Sequence, residues 1–466
     1  MSAEDRLRDE ISKCRRCEAC KDLLYLSCLV FPEMFRLVDA AWKTGDPLST
    51  DQLRYVAGLC NFCAACPCPA IRTAIMDLKT EVADTCGLPF SLRALEHMDR
   101  MGRLAGAVPR FSNFLLRHPT ARALLSGIMG IHRDRKFPPV PSETFPKWFR
   151  RRKAPTHSPA KDRKKVAYFS GCTANYFFPE VAKAVVEVLE RNGIYVCHPK
   201  QTCCGMPALL EGDRALTLKF ARFNVSHLAK AVEEGYDILC SCPTCGYMLK
   251  KIMRVGADQA RWRRDSEEIE SDFVHVDIGQ GLIAAISGMR SVRVPTGHLK
   301  ALLKDQGYFS AISPEKRILI SDHTYDVGEY LKNLHEAGGF DARLGSVPDR
   351  GAYYPPCHLR EQKIGSPYQD LMGLIPGLSM ASIQGDYCCG NGGIMGLKQA
   401  FHHSSIKIAS RLIGRIKDIN PEVITTDCLS CRMQFNQLTP YRVVHPIEII
   451  KESYVNYDAC VEKRAA

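Results

Sequence analysis

The 466-residue sequence lacks the features of a membrane-spanning protein and of a self-sufficient dehydrogenase. No run approaches the roughly 18 uninterrupted apolar residues of a transmembrane helix, and the charged N-terminus has no apolar core of a secretory signal. No GxGxxG motif follows a strand pattern, no CxxCH motif of covalent haem occurs, and no phosphate-binding loop, flavin site or catalytic triad is recognisable. We therefore expect a cytoplasmic chain without a transmembrane span that does not oxidise an organic substrate by itself.

Cysteine, in contrast, is abundant, with 22 residues. Because reducing compartments keep thiols free, most of these cysteines are expected to bind metal or to take part in redox chemistry. The length suggests about three domains of roughly 150 residues each. Such a chain buries a sizeable core, so it does not need its cysteines as disulfide staples.

The net charge of +12 is concentrated in one segment. Residues 132–165 carry twelve Lys or Arg against three Asp or Glu, interspersed with prolines. This composition indicates a solvated linker and leaves open a docking strip for an acidic partner or an anionic membrane surface. Residues 93–130 read as amphipathic helices broken near Pro109 and Pro119, which pack on the protein or contact a membrane. A peripheral position on the inner face of the membrane is therefore the second expectation, whereas nucleic acid is not expected as a partner.

The N-terminal 70 residues contain two CxxCxxC runs. This spacing resembles bacterial ferredoxins, in which three close thiolates and a fourth from the other run hold one cubane 4Fe-4S cluster. Zinc is the alternative, although zinc modules usually offer CxxC pairs. Seven residues precede the fourth cysteine of the first run and one precedes that of the second, where ferredoxins have three. By analogy the two ligand sets are Cys14, Cys17, Cys20 and Cys68, and Cys60, Cys63, Cys66 and Cys28.

A second cysteine pattern occurs twice, as a single cysteine, a Cys-Cys-Gly triplet and a CxxC pair. Corresponding cysteines are 185 or 186 residues apart, which indicates an internal duplication. Short β-rich runs precede the first cysteine and the CxxC pair of each repeat, so we expect parallel sheets with cysteines at the carboxyl ends of strands. Gly205 and Gly390 are expected to let the backbone approach a bulky cofactor. The ten thiols are Cys172, Cys203, Cys204, Cys242 and Cys245, and Cys357, Cys388, Cys389, Cys428 and Cys431.

Together these motifs resemble the CCG-domain iron-sulfur proteins, which include subunits of heterodisulfide reductase and iron-sulfur subunits of glycerol-3-phosphate, glycolate and lactate oxidation. The resemblance spans nearly the whole chain, and its residues are the CxxCxxC runs, "YFSGCTANYFFPEVAKAV", "CCGMP", "CPTCG", "YYPPCHLR", "CCGNGGIMGLK", "TTDCLSC" and "HPIEII". It implies two noncubane 4Fe-4S clusters in the repeats beside the two cubanes, with zinc in one repeat as a variant. His358 is expected to be structural, with tuning of a cluster as the alternative.

The expected fold is α/β with a helical N-terminal domain. It comprises a ferredoxin-like domain (1–84), a helical connector (85–131), a basic linker (132–165) and two pseudo-symmetric CCG repeats (166–260 and 348–466) around an inter-repeat region (261–347). The favoured function is electron transfer, in which the chain links a flavoprotein dehydrogenase to a membrane quinone or another carrier as one subunit of an oxidoreductase. Disulfide reduction at the noncubane clusters and a structural or regulatory metal-binding role are the alternatives.

Overall fold

The N-terminal part of the chain is a bundle of helices. The computed structural model describes residues 2–25, 27–63, 65–152, 164–261, 272–277, 291–297, 305, 307–385 and 387–465. Capping boxes at Ser2 and Ser49 begin two of the helices, because each serine hydroxyl accepts a hydrogen bond from the backbone three residues on. The apolar faces pack around Leu7, Met34 and Leu53, which are fully buried. The helices are α1 Ala3–Cys17, α2 Ala19–Leu23, α3 Val30–Thr44, α4 Thr50–Gly58 and α5 Pro69–Cys86.

Five further helices connect this bundle to the repeats. They are α6 Phe90–Glu96, α7 Met98–Ala107, α8 Pro109–Arg117, α9 Pro119–Met129 and α10 Phe145–Arg151. Helices α8 and α9 begin at the two prolines. Proline fits the first turn of a helix because the backbone N–H groups of that turn have no intrahelical acceptor, so the missing N–H of proline costs no hydrogen bond. Part of the segment that composition suggests as a solvated linker is packed against the repeats, since Arg135, Val140 and Phe145 are at most 7% exposed.

Repeat 1 is built on a four-stranded parallel sheet in the order β2-β1-β3-β6. Its strands are β1 Lys165–Phe169, β2 Tyr195–Cys197, β3 Asp237–Cys240 and β6 Thr324–Asp326. The fourth strand comes from the region between the two cysteine patterns, where β4 Phe273–Asp277 and β5 Ser291–Pro295 pair as an antiparallel ribbon. The helices are α11 Gly171–Tyr176, α12 Pro179–Arg191, α13 Met206–Glu211, α14 Arg214–Glu233, α15 Pro243–Tyr247 with a π-helix over Met248–Ile252, α16 Pro314–Asp322 and α17 Val327–Glu336.

Repeat 2 has the same topology, a parallel sheet in the order β10-β9-β7-β8. Its strands are β7 Arg350–Tyr353, β8 Ser379–Ser382, β9 Val423–Thr425 and β10 Arg442–Val444. The helices are α18 Cys357–Arg360, α19 Pro367–Met372, α20 His402–Ile419, α21 Leu429–Leu438 and α22 Pro446–Ala465, and 3-10 turns cover Met395–Leu397 and Gln399–Phe401. The predicted parallel α/β repeats are thus confirmed, with matching strand order in both.

The two repeats share one hydrophobic core. Tyr168 of β1, Val185 of α12, Tyr353 of β7 and Ile447 of α22 all belong to it and are fully buried. Phe145 of α10 extends this core to the connector. In the part of the chain that the structure describes, no helix has the length and apolar character needed to cross a membrane.

Candidate metal centres

The cysteines of both repeats lie just beyond the carboxyl ends of parallel strands. Cys172 follows β1 and Cys357 follows β7, each in the first turn of a short helix or next to it. Each Cys-Cys-Gly triplet follows the second strand, and each CxxC pair follows the third strand at the start of a helix. Because the ends of neighbouring parallel strands meet at one edge of a sheet, each repeat collects its five thiols there.

Two tyrosines help to fix the loops that carry the CxxC pairs. The Tyr168 hydroxyl lies 2.7 Å from the Ser241 hydroxyl, and the equivalent Tyr353 donates to the Asp427 carboxylate at 2.9 Å. Ser241 and Asp427 directly precede the first cysteine of each CxxC pair. Neither pair was expected from the sequence, although both follow the 185- or 186-residue offset that relates the cysteines.

The repeat 1 group of thiols is a connected set. The Sγ atoms of Cys172 and Cys203 are 3.8 Å apart. Cys203 and Cys204, Cys204 and Cys245, and Cys245 and Cys242 lie close enough to shift each other's pKa. All but Cys172 are at most 7% exposed, so this group is enclosed by protein.

The repeat 2 group has the same arrangement. The Sγ atoms of Cys389 and Cys431 are 3.1 Å apart. Cys388 lies close enough to Cys389, and Cys428 to Cys431, for the two thiols of each pair to shift each other's pKa. Cys357 lies close enough to Cys389 for their charges to interact. The structure therefore brings together the five sequence-predicted thiols of each repeat.

The first N-terminal group consists of the first CxxCxxC run and Cys68. Burial, followed by the charges of Cys20 and Cys68, raises the pKa of Cys14 to about 11. Cys17 and Cys68 are exposed. The structure thus places this group at the protein surface and brings Cys68 to the first run, as the ferredoxin pattern predicts.

The second N-terminal group lines one pocket among apolar side chains. Cys28, Cys60, Cys63 and Cys66 face this pocket together with residues such as Phe31. Burial raises the pKa of Cys28 to about 12, and the charges of Cys60 and Cys66 add to the effect. Cys28 therefore lies with the second CxxCxxC run, although it follows the first run in the sequence.

The four groups lie in series through the protein. At each junction one thiol of a group interacts electrostatically or by a hydrogen bond with a thiol of the next. The order runs from the exposed first N-terminal group to the second, then to the repeat 2 group and finally to the repeat 1 group. The joining pairs are Cys20 with Cys66, Cys63 with Cys357, and Cys428 with Cys242.

This donor set fits iron-sulfur clusters. Burial raises the pKa of Cys66 and Cys357 to about 11 each, so thiolates at these positions need a positive centre beside them. Soft thiolates that converge from several loops are the ligands that iron in such clusters prefers. Among the described residues, no group of three or more His, Cys, Asp or Glu side chains has an arrangement that could hold a single metal ion.

Backbone conformation and packing explain the glycines of the two Cys-Cys-Gly triplets. Gly205 and Gly390 adopt φ angles of +93° and +81°, in the left-handed region that favours glycine. A Cβ on Gly390 would lie 2.1 Å from the Ser405 carbonyl oxygen of α20. Glycine is thus required by the turn and, in repeat 2, by the adjacent helix, whereas direct contact with a cofactor stays a prediction.

His358 joins three of the cysteine loops. Its Nδ1 lies 2.9 Å from the Thr244 hydroxyl in the CxxC pair of repeat 1, and its Nε2 donates to the Phe62 carbonyl at 3.2 Å, inside the second CxxCxxC run. Burial lowers the pKa of His358, which keeps the ring neutral. These contacts match the structural role expected for this residue.

The four cysteines outside these groups are scattered. Cys240 is buried in β3, Cys197 is half-buried in β2, and Cys86 and Cys460 are exposed at or near helix ends. Of the 22 cysteines, only these four stand apart from the groups.

Comparison with known proteins identifies the repeats. The CCG family, described as a cysteine-rich domain, matches residues 166–250 and 351–436. The chain is 25% identical over 362 residues to a subunit of anaerobic glycerol-3-phosphate dehydrogenase of Escherichia coli (strain K12), covering 77% of this chain and 76% of that protein. It is 23% identical to lactate utilization protein A of Geobacillus sp. (strain WCH70), over 61% of this chain and 98% of that one. A subunit of fumarate reductase (CoM/CoB) of Methanothermobacter marburgensis is 23% identical, over 62% of this chain and 46% of that protein.

Proposed function

We propose that this chain, which contains two copies of the CCG cysteine-rich domain, is the iron-sulfur electron-transfer subunit of a multi-subunit oxidoreductase. The series of four thiol groups, from the exposed Cys17 and Cys68 to the buried repeats, is the observation that carries this proposal. When bound, the clusters supply one-electron carriers. The residues of this chain hold those carriers in a fixed order and exclude water from the inner ones.

We assign two cubane clusters to the N-terminal bundle in the manner of a ferredoxin. Each would be held by one CxxCxxC run and the distant cysteine that the structure brings to it. The ten thiols of the repeats would hold two noncubane clusters. Zinc in a repeat is the alternative that metal analysis distinguishes.

Electrons enter or leave at the two ends of this series. A flavoprotein dehydrogenase is the proposed partner at one end, since the relatives include subunits named for glycerol-3-phosphate dehydrogenase and fumarate reductase. A quinone or another carrier is proposed at the other end. Disulfide reduction at the repeats is less well supported, because eight of their ten thiols are at most 7% exposed and a substrate disulfide would have to reach them.

A peripheral position at an anionic membrane surface is part of the proposal. Helices α7, α8 and α9 carry five arginines, and the single acidic residue between positions 98 and 129, Asp99, is buried. Aromatic and aliphatic side chains beside arginines are typical of helices that lie in the headgroup region of a bilayer. Large apolar side chains exposed between residues 98 and 129 include Leu104 71%, Val108 54%, Phe111 61%, Phe114 59%, Leu124 67% and Ile128 53%.

The electron-transfer proposal is tested on the complex as cells make it. The tagged chain is purified without oxygen from its own cells, flavin is measured, and glycerol 3-phosphate, lactate and succinate are added in turn. Flavin in the complex and bleaching of the iron-sulfur absorbance by one of these substrates support the proposal. A flavin-free chain that reduces a disulfide by itself would replace it with the catalytic alternative.

A further inference from the structure

Arg135 is a buried cation whose hydrogen-bond partners are neutral. It comes from the basic segment, but it is only 4% exposed. Among the carboxylates that the structure describes, none forms an ion pair with it, and all of its side-chain acceptors are amide, hydroxyl or carbonyl oxygens. They are the Gly396 carbonyl at 2.8 Å, Gln437 at 2.8 Å, Asn391 at 3.1 Å, Ser405 at 3.1 Å, and Gln434.

A buried charge without a counter-charge is costly, so the environment of Arg135 needs an anion. The thiolates of repeat 2 supply one, since Asn391, which accepts a hydrogen bond from Arg135 at 3.1 Å, lies two residues after Cys389 in the same loop. The guanidinium stays protonated at neutral pH, because burial lowers its pKa only to about 10.

The backbone around Arg135 is fixed against the loop that follows the Cys-Cys-Gly triplet of repeat 2. Ile131 forms a β-bridge with Lys398, and the His132 N–H donates to the Leu397 carbonyl at 3.0 Å. A Cβ on Gly396 would lie 2.6 Å from an Arg135 nitrogen, which leaves no room for a larger residue. The guanidinium is therefore held in place rather than free to move toward solvent.

This arrangement is built from residues of repeat 2. All five acceptors of Arg135 lie between residues 391 and 437. At the position of Asn391, directly after the Cys-Cys-Gly triplet, repeat 1 has Met206, whose thioether does not replace the amide acceptor. Both repeats thus have the same five cysteine positions, whereas the acceptors that hold Arg135 come from repeat 2.

We propose that Arg135 tunes repeat 2 electrostatically, raising the reduction potential of the cluster that the five thiols of this repeat hold. Reduction adds an electron to an anionic centre, and a fixed positive charge nearby stabilises the reduced form. This inference rests on the proposed function, since it requires an iron-sulfur cluster in repeat 2. Arg135 acts on the cluster through its fixed positive charge and does not bind iron.

The test compares wild-type protein with R135Q, R135K and the control R133Q, all purified without oxygen. Arg133 is an exposed arginine of the same segment, so R133Q removes an equal charge at the surface. Iron per chain is measured first, and reduction potentials are then measured by redox titration followed by electron paramagnetic resonance. The signal that Cys389→Ser removes identifies repeat 2. In R135Q we expect its equilibrium constant for reduction to fall about tenfold, or 59 mV for a one-electron couple, with R135K and R133Q near wild type.

Two results would overturn the inference. One is an unchanged potential in R135Q at full iron content. The other is loss of the repeat 2 signal in both R135Q and R135K, which would make the side chain a packing element instead of a source of charge. Wild-type protein without iron in repeat 2 would overturn the proposed function itself, and the iron analysis detects that outcome before any variant is compared.

Discussion

Replacing Gly390 by alanine tests how tightly the Cys-Cys-Gly loop of repeat 2 packs on α20. The new Cβ would lie 2.1 Å from the Ser405 carbonyl oxygen and 3.0 Å from the Ile408 side chain. Gly205 is the matched control from repeat 1, because its φ is also positive but its nearest neighbours lie 3.7 Å from the added carbon. The two substitutions therefore share backbone strain and differ in steric clash.

The expected magnitudes follow from these contacts. An alanine in the left-handed region costs about 1–2 kcal/mol. Overpacking against a fixed helix backbone adds about 1–3 kcal/mol, because a helical carbonyl cannot rotate away from the added carbon. We expect the free energy of unfolding to fall by about 1–2 kcal/mol in Gly205→Ala and by about 2–5 kcal/mol in Gly390→Ala.

Denaturant titration of both variants and the wild type, kept free of oxygen and followed by circular dichroism, measures this difference. Iron content measured in parallel shows whether the neighbouring thiols keep their metal. Equal losses of stability in the two variants would refute the close approach of the loop to α20. A larger loss in Gly205→Ala would refute the reasoning altogether.

Three further perturbations test other parts of the structure. The double substitution Phe111→Glu with Phe114→Glu should lower the affinity for phosphatidylcholine vesicles that contain phosphatidylglycerol at least about 100-fold in sedimentation, because each phenylalanine contributes about 1.5–3 kcal/mol when buried; unchanged binding would contradict membrane contact. Burial raises the pKa of the unpartnered Glu96 carboxyl to about 8, so wild-type stability should fall as pH rises from about 5 to 8. In Glu96→Gln the free energy of unfolding should fall less steeply with pH, by up to about 1.4 kcal/mol per pH unit. A difference in the free energy of unfolding between Glu96→Gln and wild type that does not change with pH would contradict this. Cys63→Ser should lose about four irons per chain while Cys86→Ser loses none, and equal iron in both would exclude Cys63 as a ligand.

The positions of the repeat cysteines were predictable because they depend on local patterns. Strand-forming runs end next to Cys172 and Cys357. The carboxyl ends of neighbouring parallel strands meet at one edge of the sheet, independently of contacts elsewhere in the chain. The offset of 185 or 186 residues then transfers each assignment from one repeat to the other. These features need no knowledge of distant contacts.

Arg135 was not predictable, because its environment is assembled from residues more than 250 positions away. In the sequence it is one of twelve basic residues in a proline-rich segment, and nothing distinguishes it from the exposed Arg133. The need for glycine at position 390 was not predictable for the same reason, because an added Cβ would clash with α20, which is a separate element of the fold. The order of the four thiol groups likewise depends on tertiary contacts such as that between Cys63 and Cys357.

The most direct test of the four-cluster series is the content of iron, acid-labile sulfide and zinc in protein purified without oxygen. Four 4Fe-4S clusters require about sixteen irons and an equal amount of sulfide per chain, and this is the result that we expect. About eight irons with bound zinc would contradict the account, because the N-terminal groups would then hold clusters while the repeats serve as structural metal sites.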